Sequence, residues 1–221
     1  MKSCDRIVAV LTMLAQQAHV RTYQTLMDLI ARQYGKDPLY LLIACLLSLR
    51  ARDAMVLKMF PRVAQRIKTA QDLRDISIPE LESLIRSIGF YRAKARTLKQ
   101  VAAELIDRFD GVVPRERRDL LSIKGIGQKT GNLVLWYTYG VEGVAVDIHV
   151  YRVCNRLGIV KTKTADQTQR ILEKCLPRNM WHVANHACVA HGQQICLPVS
   201  PWCSKCPMRS MCLRVGVRCS R

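Results

Sequence analysis

Apolar residues recur every three or four positions in almost every stretch of this 221-residue chain. The pattern covers Ile7 to Ala15, Tyr23 to Tyr34, Leu39 to Leu49, Asp53 to Ile67, Ile78 to Ile88, Lys94 to Phe109, Arg117 to Ser122 and Ala165 to Leu176. That spacing puts one apolar stripe on each helix. Starts and stops agree with it: Asp37-Pro38 opens one segment, Ser77 precedes Pro79-Glu80 in another, and Gly35, Gly89 and Gly111 follow segment ends. Only VEGVAVDIHV, Val141 to Val150, has strand character. A lone strand has nothing to pair with, so it reads as a loop entering a helix near Asp147. The chain is therefore expected to be all-α. It is long enough for one or two domains with a real core, and no apolar run approaches the ~18 residues that a membrane span needs. No long linker appears, so the domains are expected to interleave.

Charge narrows the partner. There are 35 Lys+Arg against 17 Asp+Glu, a net +18, which favours a polyanion such as nucleic acid over scattered solvated lysines. The excess is also patterned. Arg86 to Lys99 holds five basic residues and no acid, and seven basic residues but no acid follow Glu173.

The ten cysteines form two populations. Met1 to Val20 contains Asp5 and Arg6 and no uninterrupted apolar core followed by small residues, so no signal or transit peptide is read and a reducing compartment is expected. Cys4, Cys45, Cys154, Cys175 and Cys188 are scattered and read as core residues, and Cys219 as a spare thiol. Cys196, Cys203, Cys206 and Cys212 have the spacing C-x6-C-x2-C-x5-C. Four thiolates so placed can wrap one metal centre, and the spacing differs from both common ferredoxin patterns. On chemistry alone an iron–sulfur cluster and zinc both remain open, with His186 and His191 close by in sequence.

LLSIKGIGQKTGNLVLWYTYG, Leu120 to Gly140, places Gly125-Ile126-Gly127 between two helical patterns. Paired glycines allow a tight turn whose amides, at the start of the second helix, can hold a phosphate. Such contacts hold a duplex without reading its sequence. Taken alone, the turn is equally an ordinary helical hairpin, Lys129 a solvated phosphate contact, and Asp147 a helix N-cap.

Taken together, Ile123 to Gly131, VAVDIHVYRVCNRLG and the cysteine spacing resemble the endonuclease III-like DNA glycosylases, and the resemblance runs from about Leu39 to Cys212. It implies two interleaved helical domains: a six-helix domain at 31–141 with a helix-hairpin-helix, and a discontinuous one at 1–30 and 142–221 ending in a [4Fe-4S] cluster loop, with a DNA cleft between them. It further implies that Cys196, Cys203, Cys206 and Cys212 hold the cluster, that Lys129 is a nucleophile, and that Asp147 is an essential carboxylate, leaving His149 to packing. The family hairpin commonly reads L-P-G-[IV]-G-x-K-T-A; here Lys124 stands for Pro and Gly131 for Ala.

LLSLRARD, Leu46 to Asp53, is similar to the family's L-L-S-x-Q-x-x-D, whose Gln enters the duplex, so Arg50 takes that place. IGFYRAKA puts Phe90 at a second wedge, and wedges fill the gap left by a flipped base. The loop Leu197 to Trp202 (LPVSPW) lacks the basic residue common in the family, leaving Lys205 and Arg209 as candidate phosphate contacts. The implied partner is double-stranded DNA bearing damaged bases, oxidised pyrimidines above all, or abasic sites. The protein would act as a monomer, in the cytoplasm and nucleoid of a prokaryote-like cell. Two other readings are a monofunctional adenine or thymine mismatch glycosylase, whose members lack the hairpin lysine, and a non-catalytic DNA-binding module.

Overall fold

The computed structural model describes residues 3–221, and no strand occurs among them. In chain order the helices are α1 (Ser3–Ala15), α2 (Ala18–Arg21), α3 (Leu26–Tyr34), α4 (Pro38–Ser48), α5 (Asp53–Arg66), α6 (Ala70–Asp75), α7 (Ile78–Ile85), α8 (Tyr91–Phe109), α9 (Arg117–Ser122), α10 (Gln128–Tyr139), α11 (Ile148–Leu157), α12 (Ala165–Cys175) and α13 (Trp181–Gln194). Among the described residues no helix is long and apolar enough to cross a membrane. The segment Val141 to Val150 is a loop that enters α11, with Asp147 as its N-cap.

Local chemistry sets the helix starts. Asp37 accepts from the Tyr40 amide at 2.9 Å with Pro38 at the first helical position, and Ser77 accepts from the Glu80 amide at 3.2 Å ahead of Pro79. Each cap satisfies an amide that has no partner inside its helix. Thr69 and Asp72 form a reciprocal capping box at α6.

The chain divides into two compact units, Leu26–Val141 and the pair Met1–Thr25 with Glu142–Arg221, of which the first two residues lie outside the described ones. The first boundary falls ahead of α3 instead of inside it at 30/31. A helix docks as one body: Leu26, Met27 and Ile30 of α3 are buried together, and Tyr137 of α10 donates to Asp28 at 2.7 Å.

In the Leu26–Val141 unit, α4 is the central helix. Every residue from Leu41 to Leu47 is buried, and a helix apolar all round belongs in a core. Its four terminal carbonyls all find donors: Ser48 Oγ reaches Cys45 O at 2.8 Å, the Leu49 and Ala51 amides reach Leu46 O and Ser48 O, and the Lys94 ammonium reaches Leu47 O at 2.8 Å.

Lys94 was part of the basic run read as surface charge, but it is only 9% exposed. Lys99 of the same run turns inward to the carbonyls of Arg74 and Ile76, leaving Arg86, Arg92 and Arg96 exposed. A helical repeat reports which face a residue occupies, and Lys94 shares its face with Ala95, Leu98 and Val101.

The other unit is built on α13, whose Ala184 to Gly192 segment is almost wholly buried, with α1, α11 and α12 supplying Leu11, Leu14, Val150, Val153 and Leu172 to the same core. Neither α13 nor α6 was expected. Between Ala184 and Gly192 helix α13 is buried on nearly every side, which leaves little amphipathic contrast, and α6 is only six residues long. Two cysteines also depart from expectation. Cys4 and Cys175 are half-buried at the α1–α12 contact, with Cα atoms 4.8 Å apart, and form a disulfide. Cys45, Cys154 and Cys188 are free and buried, and Cys219 is free and exposed.

Lys94 makes stability depend on pH. Burial lowers its pKa from 10.5 to about 8. Below about pH 8 the folded protein holds a buried cation; from there up to 10.5 the folded form has lost the proton while the unfolded chain keeps it, so stability rises with pH across that window. Chemical denaturation of the wild type and Lys94→Met at pH 7 and pH 10 should show the wild type gaining on the variant, which has no proton to lose. A difference equal at the two pH values would contradict this assignment.

Candidate nucleic-acid interface and cysteine pocket

The hairpin joins α9 to α10 through Ile123 to Gly127. Ile126 is buried and anchors the turn, while Lys124, Gly125 and Gly127 are exposed. The two glycines serve different ends. Gly125 has φ +97°, a conformation unfavourable to other residues, and a Cβ there would lie 2.8 Å from Thr97 Cγ2. Gly127 has φ −89°, which any residue adopts, and a Cβ would meet nothing within 4 Å. The fold itself does not require a glycine at 127; its bare backbone leaves room for something from outside. Gly127 is the N-cap of α10, so the positive end of that helix opens into this space.

Lys129, half-buried, is the second residue of α10. Both departures from the usual hairpin have visible partners. The Lys124 amide donates to Glu104 at 3.1 Å, a bond that Pro, lacking an N–H, could not make. A Cβ on Gly131 would fall 2.7 Å from Leu121 Cδ2, so Leu121 fills the space a methyl would take.

Arg50 and Phe90 lie together in the same unit. Both are exposed and both have left-handed backbones, φ 53° and 59°, which is uncommon for bulky residues and costs on the order of 1 kcal/mol each. The Arg50 guanidinium lies 5.9 Å from the Phe90 ring centroid. Phe90 is 64% exposed, so a large aromatic ring is held out in solvent at the N-cap of α8.

Asp147 belongs to the other unit. Its Oδ1 accepts from the amides of His149 and Val150 at 2.8 and 2.9 Å. Both capping bonds use one oxygen, so Oδ2 takes no part in the cap. The neighbouring His149 has its Nδ1 3.1 Å from the Arg152 guanidinium.

Cys196, Cys203, Cys206 and Cys212 line one pocket together with Arg156, His191 and Trp202. All four are free thiols. Among the described residues no group of three or more His, Cys, Asp or Glu side chains is arranged to hold a metal ion. Burial first, then the neighbouring thiols, push Cys206 and Cys212 up. Donors nevertheless aim at the sulfurs: Arg156 at Cys196 (3.6 Å) and the Arg214 amide at Cys212 (3.4 Å). Such donors suit thiolates.

The loop with no basic residue of its own borrows one. Arg156 of α11 donates to the carbonyls of Leu197 and Pro198 at 2.6 and 2.7 Å, a role that the spacing of α11 did not reveal. Lys205 and Arg209 are exposed, and Lys205 also covers one side of Trp202, which stacks with Arg221 as well.

Residues 43–178 match the family described as HhH-GPD superfamily base excision DNA repair protein. The endonuclease III of Thermotoga maritima is 37% identical over 176 residues, covering 80% of this chain and 83% of that protein. Among solved structures, a non-covalent endonuclease III–DNA complex superposes with a TM-score of 0.87 at 33% identity, covering 97% of each chain. A trapped endonuclease III–DNA covalent intermediate gives 0.77 at 36%, covering 85% of this chain and 92% of that one. The chain thus belongs to the HhH-GPD superfamily of base excision DNA repair proteins, in its endonuclease III family.

Proposed function

We propose that this protein is a base excision repair DNA glycosylase with abasic-site lyase activity, acting on double-stranded DNA that carries damaged bases. The observation that carries the reading is Lys129, set one turn or less behind the open backbone of Gly127 at the start of α10. A phosphodiester received by the Gly125–Gly127 amides would hold the strand against that helix end. The relative solved as a covalent intermediate with DNA supports a nucleophilic route.

The damaged nucleotide is rotated out of the stack, with Arg50 and Phe90 filling the gap. The Lys129 amine forms a bond to C1′ of the deoxyribose as the glycosidic bond breaks, and the base departs with the bonding electrons and a proton. Ring opening gives a Schiff base, and loss of a C2′ proton then breaks the C3′–O bond, cutting the strand 3′ to the lesion. The Asp147 carboxylate steadies the positive charge on the sugar and moves protons to and from the amine. Oxidised pyrimidines are the proposed lesions.

Cys196, Cys203, Cys206 and Cys212, which line one pocket, would hold a [4Fe-4S] cluster, for which four cysteine thiolates are a suitable ligand set. Bound there, the cluster would cross-link the loop from Cys196 to Cys212, and its iron would favour the thiolate form against the burial that pushes Cys206 and Cys212 up. Lys205 and Arg209 would meet phosphates beside it.

Three measurements test these assignments. Borohydride should trap the wild type on lesion-bearing DNA and fail with Lys129→Ala; base release without trapping would indicate a monofunctional glycosylase, and no base release from any lesion a binding module. Gly127→Ala should weaken duplex binding by about 1 kcal/mol, one lost backbone contact, and change stability by less than about 1 kcal/mol; Gly125→Ala should instead lower stability by about 1–2 kcal/mol through its positive φ. Equal stability losses in the two variants would remove the assigned division of labour. Purified protein should be brown, absorb near 400 nm as iron–sulfur proteins do, and lose colour in Cys203→Ser; a colourless protein with one zinc would refute the cluster.

A further inference from the structure

The turn that carries Arg50 and the turn that carries Phe90 are 40 residues apart in sequence and meet in space. A Cβ on Gly89 would lie 3.7 Å from the Arg50 carbonyl, and the Arg50 guanidinium lies over the Phe90 ring. Arg50 follows the C-terminal end of α4, and Phe90 is the N-cap of α8. Both turns are held in left-handed backbone conformations that exposed bulky residues do not adopt by preference. Something beneath them must hold the two helix ends in register.

Lys94 is so placed. It lies on the first turn of α8, where its own amide donates to the Phe90 carbonyl at 3.0 Å. Its side chain runs inward, and Nζ donates to the Leu47 carbonyl, three residues before Arg50, at 2.8 Å. One residue therefore touches the backbone of the last turn of α4, just ahead of Arg50, and of the Phe90 turn, the former from the buried side. The cation also faces the negative end of the α4 dipole, where charge of that sign is favoured.

We infer that Lys94 is a positioning residue that locks the Arg50 and Phe90 turns together so that the two side chains enter a duplex as one unit. The inference rests on the reading of Arg50 and Phe90 as wedges. Lys94 is buried, touches no DNA and takes no part in the chemistry; its effect passes through the two turns.

The test uses full-length protein on a duplex carrying an abasic-site analogue opposite 2-aminopurine, whose fluorescence reports the stacking of that base. Binding by the wild type should change the fluorescence, and Arg50→Ala and Phe90→Ala should each reduce the change. Lys94→Met should reduce it too, and should lower kcat/KM on lesion duplexes on the order of tenfold, the scale of a displaced positioning group. The double variant Lys94→Met, Phe90→Ala should lose less than the sum of the single losses. Borohydride trapping on a single-stranded abasic oligonucleotide, which needs no wedge, should stay within about twofold of the wild type.

A wild-type fluorescence change in Lys94→Met would overturn the inference, as would an equal loss of trapping on single strands, which marks a general structural defect. If the methionine variant does not fold, Lys94→Gln, one bond shorter and unable to span to Leu47, is judged by the same two criteria. If Arg50→Ala and Phe90→Ala are themselves silent, the wedge reading fails and the inference falls with it, an outcome distinct from failure of Lys94→Met alone.

Discussion

Helix ends hold the candidate site residues of this protein. A chain built from helices alone leaves amides and carbonyls unpaired at each terminus, and the residues with assigned roles lie where those groups are met. Asp147 caps α11, Gly127 caps α10 with Lys129 one residue inside, Phe90 caps α8, and Arg50 follows the end of α4. Cys196 lies just past α13, where its amide still bonds to His191 O at 2.8 Å. A terminus offers a fixed backbone dipole together with a side chain that helical packing leaves free to point outward. Nucleic acid presents phosphates at regular spacing, so an all-helical scaffold needs few further devices to hold it.

Much of this was legible in the sequence because caps and glycines act over a few residues. The α11 start at Asp147, the loop before it and the Asp37-Pro38 entry to α4 are local events, and their signals are local. The cysteine spacing is another: four cysteines within seventeen positions need no distant partner to share one pocket. What escaped depends on burial or on long-range pairing. The middle of helix α13 is buried on nearly every side, and periodicity is a contrast between faces, so such a stretch carries little of it. Lys94 and Arg156 look like surface charge in one dimension; in three dimensions each reaches a carbonyl 41 to 47 residues away.

The glycines show what lies between these cases. Gly125 and Gly127 look equivalent in the sequence, yet one is required by its backbone angle and the other only by the space in front of it. Lys124 and Gly131, departures when set against the family pattern, prove to be local exchanges. The first gains a backbone donor for Glu104, and the second makes room for Leu121. Neither moves the buried Ile126 anchor, which explains how the hairpin can vary around its two glycines.

The Cys4–Cys175 bond has a consequence for the topology of the chain. Its two cysteines are 171 positions apart, and the whole Leu26–Val141 unit lies between them in sequence. Oxidised, that unit becomes part of a closed ring whose clasp belongs to the other unit. A backbone break anywhere inside the ring, as at an abraded loop, would open a path without releasing a fragment. The N-terminal helix would stay attached to α12 after the chain that once joined them had been cut, so the discontinuous unit would keep both its segments through damage to its insert.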